Sequence, residues 1–318
     1  MSFKKKLITC TAIAGTSVGI MHIINRFICY ISSRDDFLYT KEQNYYDWTY
    51  GRIFFTKQGS GAPILLIHDL DVCSSSYEWN KLKAELSKTN TVYTIDLLGC
   101  GLSEKPNITY TNFLYVQLIT DFIKNVIEEK TDIITTGHSA SIILMACAND
   151  DSIINRMMLI NPESMMNSLQ FPKYYDKLYR NLIYTPIIGT FIYNLVMNKN
   201  AIKEKFMTDY FYDHARIREK DISAYIEASQ TEKSHGKYLY ANIKAHYTTG
   251  NTINCLTKIN NNIYIITGNG NPENNLSASQ YQNMLPSIEI VGINDVKQLP
   301  QLEAPEEVLG IIKDYLEL

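Results

Sequence analysis

From Tyr45 to the C-terminus, short apolar runs that end in polar residues alternate with stretches of helical spacing. "YDWTYGRIFFTKQG" reads as a hairpin turned near Tyr50 and Gly51. "PILLIHDL" and "TVYTIDLLG" read as buried parallel strands, because both faces of such a strand are covered and its apolar run is nearly continuous. "YEWNKLKAEL" and "FLYVQLITDFIKNVIEE" carry helical spacing; "DIITTG", "RMMLINP", "NIYIITG" and "SIEIVG" supply further strands, and "EEVLGIIKDYL" a final helix. An antiparallel start followed by repeated strand–helix units predicts an α/β fold, with a mainly parallel sheet covered by helices on both faces. Residues 166–251, rich in tyrosine and helical patterning, interrupt the alternation. They are expected to form an inserted helical cap over the carboxyl edge of the sheet, between core segments 45–165 and 252–318.

Residues 1–34 differ. Lys4, Lys5 and Lys6 precede "LITCTAIAGTSVGIMHII", a stretch free of formal charge if His22 is neutral, and about the length that spans a hydrocarbon core. The expectation is one membrane-associated helix over Leu7 to Ile24, with the lysines on the cytoplasmic side and the globular part outside. Other readings stay open: a cleaved signal peptide ending near Ala12 and Ala14, a lipoprotein-like box in "LITC" with Thr9 an imperfect fit, or an amphipathic helix on the domain or membrane surface. Thr9, Thr11, Thr16, Ser17 and His22 dilute the apolar run, which is what keeps the last reading open beside the favoured anchor.

Composition narrows the function. The chain has 318 residues, 45% of them hydrophobic, and a net charge of -3. That is enough for one large core, without the basic stripe that nucleic acid requires. Cys10, Cys29, Cys73, Cys100, Cys147 and Cys255 are scattered and read as thiols rather than a disulfide framework. No metal-type spacing or nucleotide fingerprint is present, and "GNGNPENN" lacks the helix start that a dinucleotide site needs. No cofactor is expected. The partner expected is a small or lipid-like ligand beneath the cap.

"TTGHSAS", residues 135–141, joins a predicted strand to a predicted helix, which is the setting a nucleophile elbow requires. Ser139 is the candidate nucleophile, with small Gly137 and Ser141 on either side. The backbone N–H of Ala140 is a candidate donor for an oxyanion hole, and a resemblance of "LLIHDL" to a known family's oxyanion loop implies Leu70 as the second.

At this point the chain resembles the α/β-hydrolase superfamily, over nearly everything from Tyr45 to Leu318. "LLIHDL" is similar to the family's oxyanion strand and loop, with Asp69 where glycine is usual. "IDLLGCGLSEKP" and "LPQLEAPEEVLGIIKDYL" resemble two further family segments in the expected order. The resemblance implies a triad of serine, acid and histidine in that chain order.

Two positions depart from that pattern. The acid position reads Asn271 and the histidine position reads Gln298; no histidine follows His246. Glu163, after the neighbouring strand, is an alternative acid. His138 and His68 are expected to pack or order loops, and His214, His235 and His246 belong to the cap. Loss of the triad histidine costs on the order of 10^6 in kcat, while oxyanion stabilisation and binding retain roughly 10^3 to 10^4 over water. Two readings therefore stand: a weak or non-catalytic member that binds a ligand or partner at a membrane, and an active serine hydrolase of small esters, amides or thioesters that uses a displaced base.

Overall fold

The computed structural model describes residues 3–32, 34 and 36–317, with side chains from Gly15 onward. Its centre is an eight-stranded sheet in the order β1-β2-β4-β3-β5-β6-β7-β8. β1 (Asn44–Trp48) and β2 (Gly51–Gln58) form the hairpin, closed where Trp48 pairs with Gly51, and β2 is antiparallel to β4 (Thr91–Ile95). The remaining pairings, through β3 (Pro63–Ile67), β5 (Thr131–Thr136), β6 (Ile154–Ile160), β7 (Ile263–Gly268) and β8 (Glu289–Ile293), are parallel.

The apolar runs are continuous because both faces are buried. In β3, Ile64 and Leu66 pack with Trp79, Leu82 and Val308, whereas Leu65 and Ile67 pack with Ile119, Phe122 and Ile143. Alternate residues thus serve opposite layers, as the pleat demands. The helices used below are α1 (Phe3–Ser32), α2 (Asn112–Phe122), α3 (Ser139–Asn149), α4 (Tyr174–Tyr184), α5 (Ile187–Val196), α6 (Glu219–Ser234), α7 (Lys237–Lys244), α8 (Pro272–Met284) and α9 (Pro305–Leu316). α4 to α7, with shorter helical turns between them, form an insertion between β6 and β7.

Two helical expectations change in detail. "YEWNKLKAEL" is a 3-10 turn, Ser76–Trp79, followed by a short helix, Lys83–Leu86. The Asp96 carboxylate accepts the Ser76 N–H at 2.6 Å and ties the segment to the end of β4. The second helix ends its α-helical part at Phe122 and continues as a π-turn, Ile123–Ile127, stopped by Glu128 in the left-handed region with φ 63°.

The membrane expectation is corrected. Among the described residues no helix is long and apolar enough to cross a membrane; the side chains of residues 3–14 lie outside those described. The physical reason is visible in the second half of α1, where Thr16, Ser17, His22, Asn25 and Arg26 interrupt the apolar residues. Asn25 is buried, its Nδ2 donating to the Ile187 carbonyl and its Oδ1 accepting from Asn194 Nδ2, both at 3.0 Å. Cys29 adds a bond to the Gln230 carbonyl at 3.4 Å. This stretch packs on α5 and α6 of the same chain. The membrane partner and the extracytoplasmic placement, which rested on the span, lose their support with it. Cys73, Cys100 and Cys147 are buried free thiols, and Cys29 and Cys255 are half-buried.

Candidate functional site

The parallel strands end side by side, so the loops after β3, β5, β6, β7 and β8 converge over one edge of the sheet. At the tip of β5 the chain turns at Gly137, with φ 54°, while the Gly137 N–H donates to the Ile160 carbonyl at 3.0 Å. Glycine tolerates that left-handed conformation without a Cβ penalty. Space makes a second demand: a Cβ on Gly137 would lie 2.4 Å from Asp69 Oδ1. The Asp69 carboxylate fills the place where an apex side chain would stand. It also accepts the His138 N–H at 2.8 Å, so the first backbone donor after the apex is already engaged by an anion of the same chain.

Ser139 lies two residues past that apex, as the first residue of α3. It is fully buried, and its hydroxyl donates to the His68 carbonyl at 2.7 Å. The Ala140 N–H donates back to the Gly137 carbonyl at 3.3 Å. Leu70 is buried in the loop after β3.

The His138 ring lies between two carboxylates, with Nε2 3.1 Å from Glu163 Oε1 and Nδ1 3.4 Å from Asp69 Oδ1. Burial acts to lower its pKa, but hydrogen bonding and charge from Asp69 and Glu163 outweigh that and hold the imidazole well above its ordinary value. In its imidazolium form, which these carboxylates favour, the ring has no lone pair to take a proton from Ser139. Glu163 is held from behind: its N–H donates to the Gly137 carbonyl at 3.4 Å, and its carbonyl accepts the Tyr281 hydroxyl at 2.9 Å.

His68 is committed to the loop. Its Nε2 accepts the Leu97 N–H at 3.0 Å, which leaves Nδ1 to donate to the Asp69 carbonyl at 2.6 Å. Burial lowers its pKa and keeps the ring neutral. Asn271 caps α8 by accepting the Glu273 N–H at 3.2 Å. Gln298 Nε2 lies 3.5 Å from the Asn161 carbonyl. His214 Nε2 bonds the Met207 carbonyl at 2.8 Å.

Three residues that the sequence did not single out organise this edge. Asn161, at φ 44°, accepts the Gly268 N–H at 2.9 Å and donates to the carbonyls of Lys297 and Gln298 at 2.9 and 3.0 Å. One amide thereby joins the loops after β6, β7 and β8. Its signal was "INP" after a strand, which turn chemistry alone does not distinguish. Glu78 is wholly buried behind Asp69, and its carboxylate meets Tyr225 at 3.0 Å, Thr136 at 3.2 Å and Gln301 at 3.3 Å. Burial, then the nearby Asp69 charge, push its pKa up to about 8. Gln301 brings the C-terminal segment to Glu78 from 223 residues away. Among the described residues, no group of three or more His, Cys, Asp or Glu is placed to hold a metal ion.

The sequence profile of the alpha/beta hydrolase family matches residues 64–311. An uncharacterised protein of Mycobacterium tuberculosis is 29% identical over 107 residues, which are 34% of this chain and 31% of that protein. The soluble epoxide hydrolase of Corynebacterium sp. is 22% identical over 185 residues, 56% of this chain and 63% of the enzyme. The chain thus matches about a third of the length of the former and under two thirds of the latter. The crystal structure of a membrane phospholipase A, a bacterial virulence factor, superposes with a TM-score of 0.69 at 16% identity, covering 99% of this chain and 98% of that one. At that identity the likeness concerns the fold.

Proposed function

The chain belongs to the alpha/beta hydrolase family, and within it we propose a member that has given up covalent serine catalysis and binds a small molecule beneath the cap formed by residues 166–251. One observation carries this reading: the strand-to-helix apex is Gly137 rather than Ser139, and the Asp69 carboxylate fills the space where an apex side chain would stand. Of the donors expected to meet an oxyanion, the Ala140 N–H turns back to the Gly137 carbonyl at 3.3 Å, and the His138 N–H beside it is held by that carboxylate. A developing oxyanion there would face a fixed negative charge rather than a donor, the reverse of transition-state stabilisation.

The surrounding groups agree. Ser139 is bonded to a backbone carbonyl, and the two imidazoles near it are occupied, His68 by Leu97 and Asp69, His138 by Asp69 and Glu163. A serine hydroxyl without a base is a poor nucleophile at neutral pH. Asn271 and Gln298, at the acid and histidine positions, carry no charge, and Asn271 is engaged in capping α8.

The second reading is a hydrolase of small esters, amides or thioesters with Glu163 and His138 as displaced acid and base; what favours it is that the Corynebacterium relative is a hydrolase, though of epoxides, and that His138 lies 3.1 Å from Glu163. It requires Ser139 to leave the His68 carbonyl and His138 to lose its proton. The test is fluorophosphonate labelling of the full chain at pH 7.5, followed by peptide mapping, with 4-nitrophenyl esters assayed in parallel. No label on Ser139 and ester turnover unchanged by Ser139→Ala are expected. Stoichiometric labelling of Ser139, with turnover lost in Ser139→Ala and in His138→Gln, would establish the hydrolase instead.

A further inference from the structure

Away from the sheet edge, a cavity of about 420 Å³ lies between α1 and the insertion. Its lining holds His22, Arg26, Lys233, His235 and Lys237 and, among the described residues, no carboxylate. Arg26, Lys233 and Lys237 form a cationic cluster there that attracts an anion, while burial lowers the His235 pKa. The nearest acidic neighbour in sequence, Glu232, is used elsewhere: its Oε2 accepts the Lys105 N–H at 2.9 Å.

Lys237 makes the strongest case. The residue is 2% exposed, and its Nζ donates to the Thr185 carbonyl at 2.8 Å, a neutral acceptor. Burial alone pulls its pKa down to about 8, with no carboxylate opposing the change. A buried ammonium without a counter-ion is costly, and an anion arriving in the cavity offsets that cost. The backbone beside it is held in an uncommon form: Glu232, Lys233 and Ser234 have φ of 51°, 59° and 62°. That break in α6 brings Lys233 and His235 to the cavity wall, and three consecutive left-handed residues are strain of the kind that accompanies binding sites. The rest of the wall is mixed, with Asn25 and Thr190 beside Tyr30, Ile187 and Tyr238, and the His235 and Tyr238 rings 5.5 Å apart.

We propose that this cavity binds a small aromatic anion, a planar ring bearing one phosphate or carboxylate, with the charge among Arg26, Lys233 and Lys237 and the ring against Tyr30 and Tyr238. The volume falls within the range of small-molecule pockets. Charge-assisted bonds hold the headgroup, and the aromatic wall excludes bare inorganic anions from equal affinity. The site is independent of whether Ser139 is a nucleophile.

Titration calorimetry on the full chain with 1-naphthyl phosphate, 1-naphthoate, 1-naphthol and inorganic phosphate tests this. One naphthyl anion is expected to bind at least about tenfold tighter than both 1-naphthol and inorganic phosphate, the tighter of the two identifying the headgroup, and to weaken as salt rises. Arg26→Gln, at an exposed position that leaves the fold intact, should weaken it about threefold, and Lys237→Met about tenfold. Equal binding of 1-naphthol, no binding of either naphthyl anion, or affinity unchanged in Arg26→Gln and Lys237→Met would overturn the proposal.

Discussion

Glu78 makes stability depend on pH in a direction opposite to that of most carboxylates. Its carboxyl is fully buried and its pKa is raised from 4.5 to about 8, by burial first and then by the Asp69 charge. The folded chain therefore holds a proton that the unfolded chain releases above 4.5, so stability is fully present below that value and lost as pH rises through about 8. A tenfold change in proton affinity is worth about 1.4 kcal/mol, and across this window the effect is on the order of 5 kcal/mol. Glu78→Gln keeps the shape and removes the titration. Its amide still meets Tyr225, Thr136 and Gln301, and Gln301 Oε1, which has no partner in the structure, can accept the new N–H. Urea unfolding followed by tryptophan fluorescence, with Trp79 fully buried as reporter, at pH 5, 6.5, 7.5 and 8.5 checks this. The two proteins should lie within about 1 kcal/mol at pH 5, and the variant should be more stable by roughly 3 kcal/mol at pH 8.5. His138, whose raised value gives stability lost in the same direction, is common to both and cancels. Parallel curves for the two proteins would refute the reasoning.

Gly137→Ala should destabilise by about 2 to 4 kcal/mol, from left-handed strain plus overlap with the Asp69 carboxylate, and Asp69→Gly in the same chain should relieve about half; chemical denaturation of the four proteins in the cycle measures the coupling. The His138 ring, followed by NMR, should stay protonated above the usual histidine range, with its midpoint moving down in Asp69→Asn and in Glu163→Gln. Gln298→His with Asn271→Asp should raise ester turnover by less than about tenfold, far below the roughly 10^6 that a triad supplies, because Gly137 offers no nucleophile at the apex; a larger gain points to Ser139 as the attacking group. Asn161→Ala should cost about 2 kcal/mol or more in thermal unfolding, since one amide joins three loops.

Periodicity along the chain was enough to give the succession of strands and helices, the hairpin closed at Gly51 and a mainly parallel sheet, because each element is a local pattern of burial repeated every two or about 3.6 residues; the order of strands within the sheet was not in it. Equally legible was that Asn271 and Gln298 stand where the family resemblance puts an acid and a histidine, and that no histidine follows His246. Where the turn falls within "TTGHSAS" was not. The pentapeptide centres attention on Ser139, but the apex is set by the pairing of Thr136 with Ile160 and by Asp69 arriving from the end of β3, so Gly137 takes the left-handed position. The role of His138 required Asp69 and Glu163 to come from two other strands, and that of Glu78 required Gln301 from 223 residues away. The stretch before Asn25 read as apolar enough to leave water for a bilayer, whereas the structure buries Asn25 against Ile187 and Asn194. Sequence carries the local period of a segment, while register, shared burial and the partner of each charge are long-range properties that exist only once the layers have packed.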